Sequence, residues 1–428
     1  MSENRGLDKR PAPMEIADLV VVGGGPAGLF CAVRAAERGR RIILLEKMTS
    51  PGRKLLLSGS GQCNLTHDGD IPSFLTHYGD HGSFLKPALL NFRNQDLISF
   101  FADRGIRFET EPGGKIFPAS RRAADILGVL LKEAAGNHVE IRTGESVLDI
   151  SKPDDRFSIR TVRGIYRADL AVIATGGITY PQTGSTGDGY EFARRLGHAV
   201  TDTGPALAAV EGPDGRFSDL AGISFDNVTV SIYRDNRKIR QHAGDILFTH
   251  AGLSGPGILD CSRFIRPGDL LRISFLPGLD ARSAKEALLD RIAAAGNRRV
   301  RTVLSSLGLP DRFAGKLLRL AGLPPDLTGA HLTRDARTAL IELLTEGPFP
   351  VERLAGPRDA MVTRGGVSLR EINPKTMEAR LVPGLFYAGE VLDIDGDTGG
   401  YNLQAAFSTG ALAAKAAVKN PGPHLAYV

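Results

Sequence analysis

Three glycines spaced Gly23-x-Gly25-x-x-Gly28 are the arrangement in which backbone can lie directly against a diphosphate. The first permits a tight turn, the second lets the chain approach a ligand, and the third lets a helix pack close to a strand. The helix that follows offers unpaired N–H groups and about half a positive charge at its start. Glu46 stands eighteen residues after Gly28, where a carboxylate accepts hydrogen bonds from ribose hydroxyls. An acid there favours a free ribose diol over a 2′-phosphate and leaves NAD and FAD both open.

Three further glycine clusters carry candidate chemistry. In GRKLLLSGSGQCN (52–64), Arg53 and Lys54 can neutralise a diphosphate, and Ser58, Ser60 and the backbone of Gly59 and Gly61 can bond a polar ligand. A solvated loop with a stray basic pair is the plain alternative. Ala174, Thr175, Gly176 and Gly177 end an apolar run, and GSTGDG (184–189) opens a helix. Gly389 and Glu390 follow another apolar run, after which the chain turns into a long helix of small residues beginning near Gly400, Tyr401 and Asn402. The positive end of that helix can face negative charge on a reduced isoalloxazine ring, and its alanines and Gly410 permit close packing. A well-capped terminal helix is the alternative reading.

Other residues carry less. Cys63 has no CxxxxC partner and reads as a small packed residue rather than a redox thiol. His250, Tyr180 and Tyr401 are conceivable acids, each weighed against a packing or backbone role. Glu390, Asp393, Asp395 and Asp397 lack the loop length and glycine placement of a calcium site and read as turn chemistry plus flavin contacts. No metal site is expected, and the catalytic residue is left open. The absence of a second GxGxxG argues against a two-nucleotide disulfide reductase.

Elements must position these residues. LVVV before the first glycines and IILLEK ending at Glu46 and Lys47 read as buried parallel strands around a helix closed by Gly39. Residues 84–104 and 120–135 read as amphipathic helices, the second capped by Ser120, with a hairpin at Gly113-Gly114 between them. Residues 205–280 alternate in strand fashion, clearest at Val228, Val230 and Ile232, and 281–345 read as short helices. The expected organisation is an α/β chain. It has a flexible tail at 1–17, a discontinuous nucleotide domain at 18–204 and 355–418, and an inserted substrate or cap domain at 205–354.

Composition bounds the partners. The 428 residues carry a net charge of +5, with 42% hydrophobic and 24% charged residues, as in an ordinary globular protein. No run of five or six like charges appears, which argues against a nucleic-acid tail. Three scattered cysteines fit a reducing compartment, and no segment reads as a signal peptide or membrane span. A cytoplasmic protein with a small-molecule substrate and no membrane partner is the expectation.

Together, VVGGGPAGL (21–29), GRKLLLSGSGQCNLT (52–66), ATGGITYPQTGSTGDGY (174–190), FTHAGLSGPGIL (248–259), TRGGV (363–367) and GEVLDIDGDTGGYNLQAAFSTG (389–410) closely resemble the YhiN/BaiN-like family of FAD-dependent oxidoreductases. The resemblance implies a doubly wound, Rossmann-like FAD domain with an inserted domain of antiparallel strands followed by small helices. It implies Gly23, Gly25, Pro26, Ala27 and Gly28 at the diphosphate, and Glu46 and Lys47 at the adenosine ribose. Arg53, Lys54, Ser60, Gly61, Gln62, Cys63 and Asn64 run along the cofactor, and Val147 meets adenine through its backbone. Ala174, Thr175, Gly176, Gly177, Gly389, Glu390, Gly400, Tyr401, Asn402 and Leu403 reach the ribitol and ring. The expected reaction is hydride transfer at flavin N5, leaning to reduction of a C=C bond by NADH or NADPH. An amine oxidase or dehydrogenase, a tRNA-modifying flavoenzyme, a non-catalytic flavin-binding partner and a plain NAD dehydrogenase are the alternatives.

Overall fold

The computed structural model describes residues 14–36, 39–213, 215–276 and 281–419. The chain begins with β1 (Met14–Val22), so residues 14–17, expected in the tail, are strand, and residues 1–13 lie outside the described part. α1 (Pro26–Ala36) and β2 (Ile42–Glu46) complete a right-handed βαβ start whose strands are apolar because both faces are covered. β3 (Thr66–His67), β4 (Phe108–Thr110) and β5 (Lys115–Pro118) make a small antiparallel sheet, β4 and β5 meeting across the expected Gly113-Gly114 turn.

Between β3 and β4 lie α2 (Ile71–Leu75), α3 (Gly82–Asn91) and α4 (Asn94–Ala102). The single helix expected over 84–104 is broken at Phe92-Arg93. There the Asp96 carboxylate turns back to accept the Arg93 N–H at 2.8 Å, which starts a new helix. α5 (Ala123–Gly136) starts after Arg122, so the cap expected of Ser120 is not made. β6 (Glu140–Thr143), β7 (Val147–Ser151), β8 (Phe157–Thr161) and β9 (Ile165–Ile173) follow, then α6 (Asp188–Arg195).

The chain then passes through β10 (Gly204–Ala206) into a second unit, Pro205–Met361. Its sheet comprises β11 (Val210–Glu211), β12 (Ser224–Arg234), β13 (Arg237–Phe248), β14 (Gly252–Ser254), β15 (Leu270–Ser274), β16 (Gly347–Pro350) and β17 (Arg353–Leu354), in the order β16-β15-β12-β13-β14-β11-β17. α7 (Pro256–Leu259) follows β14. α8 (Ala281–Ala293), α9 (Val300–Ser305), α10 (Asp311–Leu320) and α11 (Arg334–Thr345) come between β15 and β16. Val228, Val230 and Ile232 are fully buried, with Phe225, Phe248, Phe275 and Phe313 packed as one aromatic group. Residues 355–361 go with this unit rather than with the first: the Ala355 N–H bonds Ala209 O at 2.8 Å, and Ala360 is buried beside Ala208.

The chain returns to the first unit at β18 (Val362–Arg364), β19 (Leu385–Tyr387) and α12 (Tyr401–Lys419). The main sheet runs β6-β2-β1-β9-β8-β7, with β19 also paired to β9. β6, β2, β1, β9 and β19 are mutually parallel, while β7 and β8 are an antiparallel edge. This is the doubly wound α/β sheet expected of the sequence. Phe30 on α1 packs at 4.9–5.3 Å, centroid to centroid, from Phe92, Phe100 and Phe407, tying α1, α4 and α12 into one core.

Two substitutions separate packing from propensity. A Cβ on Gly410 would lie 2.5 Å from Ala27 O, whereas one on the exposed α5 residue Gly128 meets nothing within 4 Å. Gly410→Ala is expected to destabilise by about 1–3 kcal/mol, and Gly128→Ala to stabilise by about 0.5–1 kcal/mol, both read from urea unfolding. Cys31, Cys63 and Cys261 are all buried and none is disulfide-bonded; burial pushes the Cys31 and Cys63 thiols up to about 12. A thiol reagent at mildly alkaline pH is expected to label no cysteine quickly in the native protein and all three after denaturation.

Candidate cofactor and active site

The first helix start is built by the three fingerprint glycines, each for its own reason. Gly23 has φ +109°, and a Cβ there would overlap Ala174 O; one on Gly28 would overlap Gly23 O. Those two positions are glycine because protein backbone fills the space. A Cβ on Gly25 meets nothing within 4 Å, so the second glycine faces open space in front of α1. The Leu29 N–H closes the first turn on Gly25 O at 2.9 Å. Pro26 occupies the first helical position, where its missing N–H costs nothing, and the N–H groups of Ala27 and Gly28 point out of the helix end.

Glu46 ends β2 beside this turn, only 9% exposed. One carboxylate oxygen accepts the Gly24 N–H at 2.8 Å and the other the Met48 N–H at 2.7 Å. Burial raises its pKa above the ordinary 4.5, opposed by those two backbone donors and by Lys47 and Arg53. Each oxygen retains a lone pair for a further donor. The Lys47 ammonium pairs with Asp188 at 2.7 Å and bonds Thr186, at the start of α6. Val147 lies on half-buried edge strand β7, opposite Thr161. The preceding residues are joined to the end of β2, the Glu145 N–H bonding Glu46 O at 2.9 Å.

The loop after β2 is wound tightly. Gly59, Ser60 and Gly61 take left-handed conformations and so does Cys63, two of them non-glycine residues at φ +56° and +62°. Such strained backbone clusters at ligand sites. Ser60 and Gln62 are exposed, Arg53 and Asn64 half-buried and Cys63 buried. With its amide oriented by its neighbours, Asn64 accepts the Gly400 N–H and donates to Thr66 O, both at 3.1 Å. That ties the loop to the start of α12.

Lys54 is held by an ion pair with Glu390. Its ammonium contacts both Glu390 oxygens at 2.7 and 2.9 Å and Thr179 Oγ1 at 2.8 Å, which uses all three of its protons. The same Glu390 oxygen accepts the Thr363 N–H at 2.9 Å, and the Ile178 N–H bonds Thr363 Oγ1, also at 2.9 Å. Gly177 leaves room for this cluster: a Cβ there would lie 3.0 Å from Glu390 Oε1. Lys54 and Glu390 are thus brought together as an ion pair, with Gly177 beside them. Ala174, Thr175 and Gly176 continue from β9, and the Ala174 N–H bonds Val22 O at 2.8 Å, next to the fingerprint.

The second helix start is α12. Gly389 precedes it under α1, where a Cβ would lie 2.7 Å from Ala27 Cβ, and Gly400 lies against the Thr66 backbone at 2.6 Å by the same measure. The Asn402 amide clips the turn before it, accepting the Gly396 N–H and donating to Gly396 O, both at 2.8 Å. Leu403 is half-buried behind. Tyr401 is 3% exposed, and its ring lies between two imidazoles: His77 stacked at 4.1 Å and His67 at 5.2 Å. His77 Nδ1 is 3.0 Å from Asp397 Oδ2, while the Asp397 N–H bonds His77 O at 2.9 Å.

This histidine pair was not legible in the sequence. His77 lies in FLTHYGDH with no glycine pattern around it, and Asp397 read as turn chemistry. The dyad can hold and move a proton: the carboxylate fixes Nδ1–H and leaves Nε2 for exchange. Tyr180 takes a left-handed conformation with the Lys54 ammonium 5.9 Å from its ring centre, and His250 is exposed in the turn between β13 and β14 of the second unit. Among the described residues, no group of three or more His, Cys, Asp or Glu could hold a metal ion, and no helix is long and apolar enough to cross a membrane.

Comparison with known proteins bears on this site. The HI0933-like protein Rossmann domain family matches residues 17–416. A ribosomal RNA dihydrouridine synthase of Escherichia coli (strain K12) is 33% identical over 92% of this chain and 96% of its own length. A 3-dehydro-bile acid delta(4,6)-reductase of Clostridium scindens is 30% identical over 94% of this chain and 99% of its own. Among solved structures, 3-ketosteroid-delta4-(5alpha)-dehydrogenase from Rhodococcus jostii RHA1, in complex with 4-androstene-3,17-dione, shares the fold. Its TM-score is 0.51 at 17% identity, over 95% of this chain and 97% of that one. With the family matched almost end to end, the chain belongs to the HI0933-like family, the YhiN/BaiN-like flavoproteins, and is an FAD-dependent oxidoreductase.

Proposed function

We propose that this enzyme reduces a carbon–carbon double bond conjugated to a carbonyl, with NADH or NADPH as electron donor and the 5,6 double bond of a uracil ring in ribosomal RNA as substrate. One observation carries the reaction class: two relatives that match almost end to end have names describing the same chemistry. Dihydrouridine is uridine with that bond saturated, and a delta(4,6)-reductase saturates double bonds of a 3-oxo ring system. The RNA substrate draws support from a second dihydrouridine synthase relative, of Haemophilus influenzae, 30% identical over 92% of this chain. A steroid-like 3-oxo acid is the second reading, favoured by the Clostridium scindens relative.

The residues fit FAD on their own geometry. Gly25 leaves the space a diphosphate needs, and the α1 N-terminus, with Pro26, Ala27 and Gly28, supplies positive charge and N–H donors to it. Glu46 accepts from the adenosine ribose, and the Val147 backbone borders the adenine. Arg53, Ser60, Gly61, Gln62, Cys63 and Asn64 form the wall along the cofactor, with Ala174, Thr175, Gly176, Gly177 and Gly389 as its floor. The first turn of α12, at Gly400, Tyr401, Asn402 and Leu403, sets its positive end against the flavin ring. Lys47, Lys54 and Glu390 position these segments through their ion pairs.

When bound, FAD supplies two electrons and one hydrogen to the carbon β to the carbonyl. His77 delivers the proton to the α carbon from Nε2 and regains it from solvent, while Asp397 holds the opposite nitrogen. His77 is 34% exposed, which keeps that exchange open.

Anaerobic incubation with NADH or NADPH and ribosomal RNA is expected to give a mass gain of two hydrogens on a uridine; saturation of a 3-oxo-4-ene steroid acid alone would favour the second reading. His77→Asn is expected to lower kcat by about 10² or more, with the flavin spectrum unchanged. Glu46→Gln puts an NH₂ against a backbone N–H and is expected to weaken FAD about tenfold or more in a binding titration. Because only the carboxylate accepts from both ribose hydroxyls, and burial raises the Glu46 pKa, FAD affinity is expected to fall as pH falls, starting above the ordinary 4.5.

A further inference from the structure

Far from the glycine motifs in sequence, the hairpin of β12 and β13 is the most basic strand pair of the second unit. From Tyr233 to His242 it carries Arg234, Arg237, Lys238 and Arg240 against a single acid, Asp235. Arg234 is committed inward, bidentate to buried Asp269 at 2.8 Å through both contacts. Arg237, Lys238 and Arg240 are exposed. Arg240 lies over the Phe264 ring at 4.1 Å, which fixes its stem while its charge stays at the surface.

This segment of β13 is also an open sheet edge. β12 pairs with β13 from Arg237 to Leu247, but β14 joins β13 only at Leu247 and Phe248. Among the described residues, no strand pairs with the outer side of Arg237–Ala243, so its backbone donors and acceptors face outward; Lys238 and Gln241 flank this edge on the face of Tyr233 and Ser231, and Arg237 and Arg240 on the face of Arg234 and Ile232. One face of the sheet is core, with Val230, Ile232, Leu271 and Ile273 buried. The other is polar: Ser231 stands between Gln241 on β13 and Arg272 on β15, and the Arg272 guanidinium, ion-paired with Glu346, lies 4.9 Å from the centre of the Tyr233 ring.

A charged edge by itself guards against strand pairing, for which one lysine suffices. Here three exposed cations follow one another along an open edge, beside a polar sheet face that carries an arginine-stacked tyrosine. That combination meets a polyanion with stackable rings: cations for phosphates, guanidinium and phenol faces for bases. We propose that the β12–β13 hairpin, through Arg237, Lys238, Arg240, Gln241, Arg272 and Tyr233, is the docking surface for the sugar–phosphate backbone of a structured RNA. The inference rests on the RNA reading of the substrate and extends it, separating an RNA-gripping edge from the residues that do the chemistry.

The test is salt-dependent binding of a ribosomal RNA fragment to the FAD-loaded full-length protein. Two variants remove the same charge, Arg237→Gln with Lys238→Gln on the hairpin, and Arg298→Gln with Arg299→Gln at an exposed pair elsewhere in the unit. The hairpin variant is expected to bind about tenfold or more weakly near physiological salt. Its slope of log affinity against log salt should shrink by about 1–2, with flavin content and flavin reduction by dithionite unchanged. The Arg298/Arg299 variant is expected to bind as the unaltered protein does. Equal losses in both variants would overturn the hairpin assignment while leaving RNA as substrate intact. An unaltered protein that binds no RNA but reduces the steroid acid would overturn the substrate reading and the docking surface together. Saturable binding of polyglutamate that RNA cannot displace would overturn it in favour of an acidic protein partner.

Discussion

The structure depends on how closely two helices approach the backbone beneath them. α1 can start where it does only because Gly28 lies against Gly23 O, and α12 can lie along α1 only because Gly410 faces Ala27 O and Gly389 faces the Ala27 methyl. Any side chain at these points would move a helix by part of an ångström, and a packed core does not absorb that cheaply. Both helix N-termini are thereby held at the edge of one parallel sheet. Each is a site where unpaired N–H groups and partial positive charge collect.

Around those two ends the charged residues are arranged mostly to hold protein, not ligand. Lys54 and Glu390 join the loop after β2 to the turn after β19, with Thr179 and Thr363 completing the network. Lys47 does the same for α6. Below α12, Thr66, Gln404 and Ser408 form a buried polar ladder that ends on Phe92 O, the carbonyl at the break between α3 and α4. Buried polar groups satisfied by one another in this way specify a unique arrangement. Among the groups left to meet a ligand are backbone, the Glu46 carboxylate, the side chains of Arg53, Ser60 and Gln62, and the His77–Asp397 pair.

Much of this was legible in the sequence, and the reasons differ by element. The parallel strands could be read because both faces are buried, so the end of β1 (Leu19–Val22), β2 and β19 contain short apolar runs. The fingerprint could be read because three glycines at fixed spacing have few other causes. The break at Phe92-Arg93 could not, since it is stabilised by Asp96 reaching back and by side chains of α12 more than three hundred residues away. Lys54 could be singled out from its loop, but its ion pair could not, because nothing local pairs it with a residue 336 positions on. The Tyr401 sandwich was invisible for the same reason: His67 comes from the end of β3 and His77 from the turn after α2. The basic hairpin escaped notice because no five like charges are consecutive; folding, not sequence, lines them along one edge.

The central claim is that this chain binds FAD at the paired helix ends and passes its electrons to a conjugated double bond. The most direct measurement is the visible spectrum of the purified, FAD-supplemented protein, taken under anaerobic conditions before and after NADH or NADPH and then after ribosomal RNA. The account predicts a bound flavin that bleaches with a nicotinamide and regains its colour when the RNA is added. A protein that takes up no FAD, or whose reduced flavin is reoxidised by no conjugated double bond in RNA or steroid acid, would contradict it.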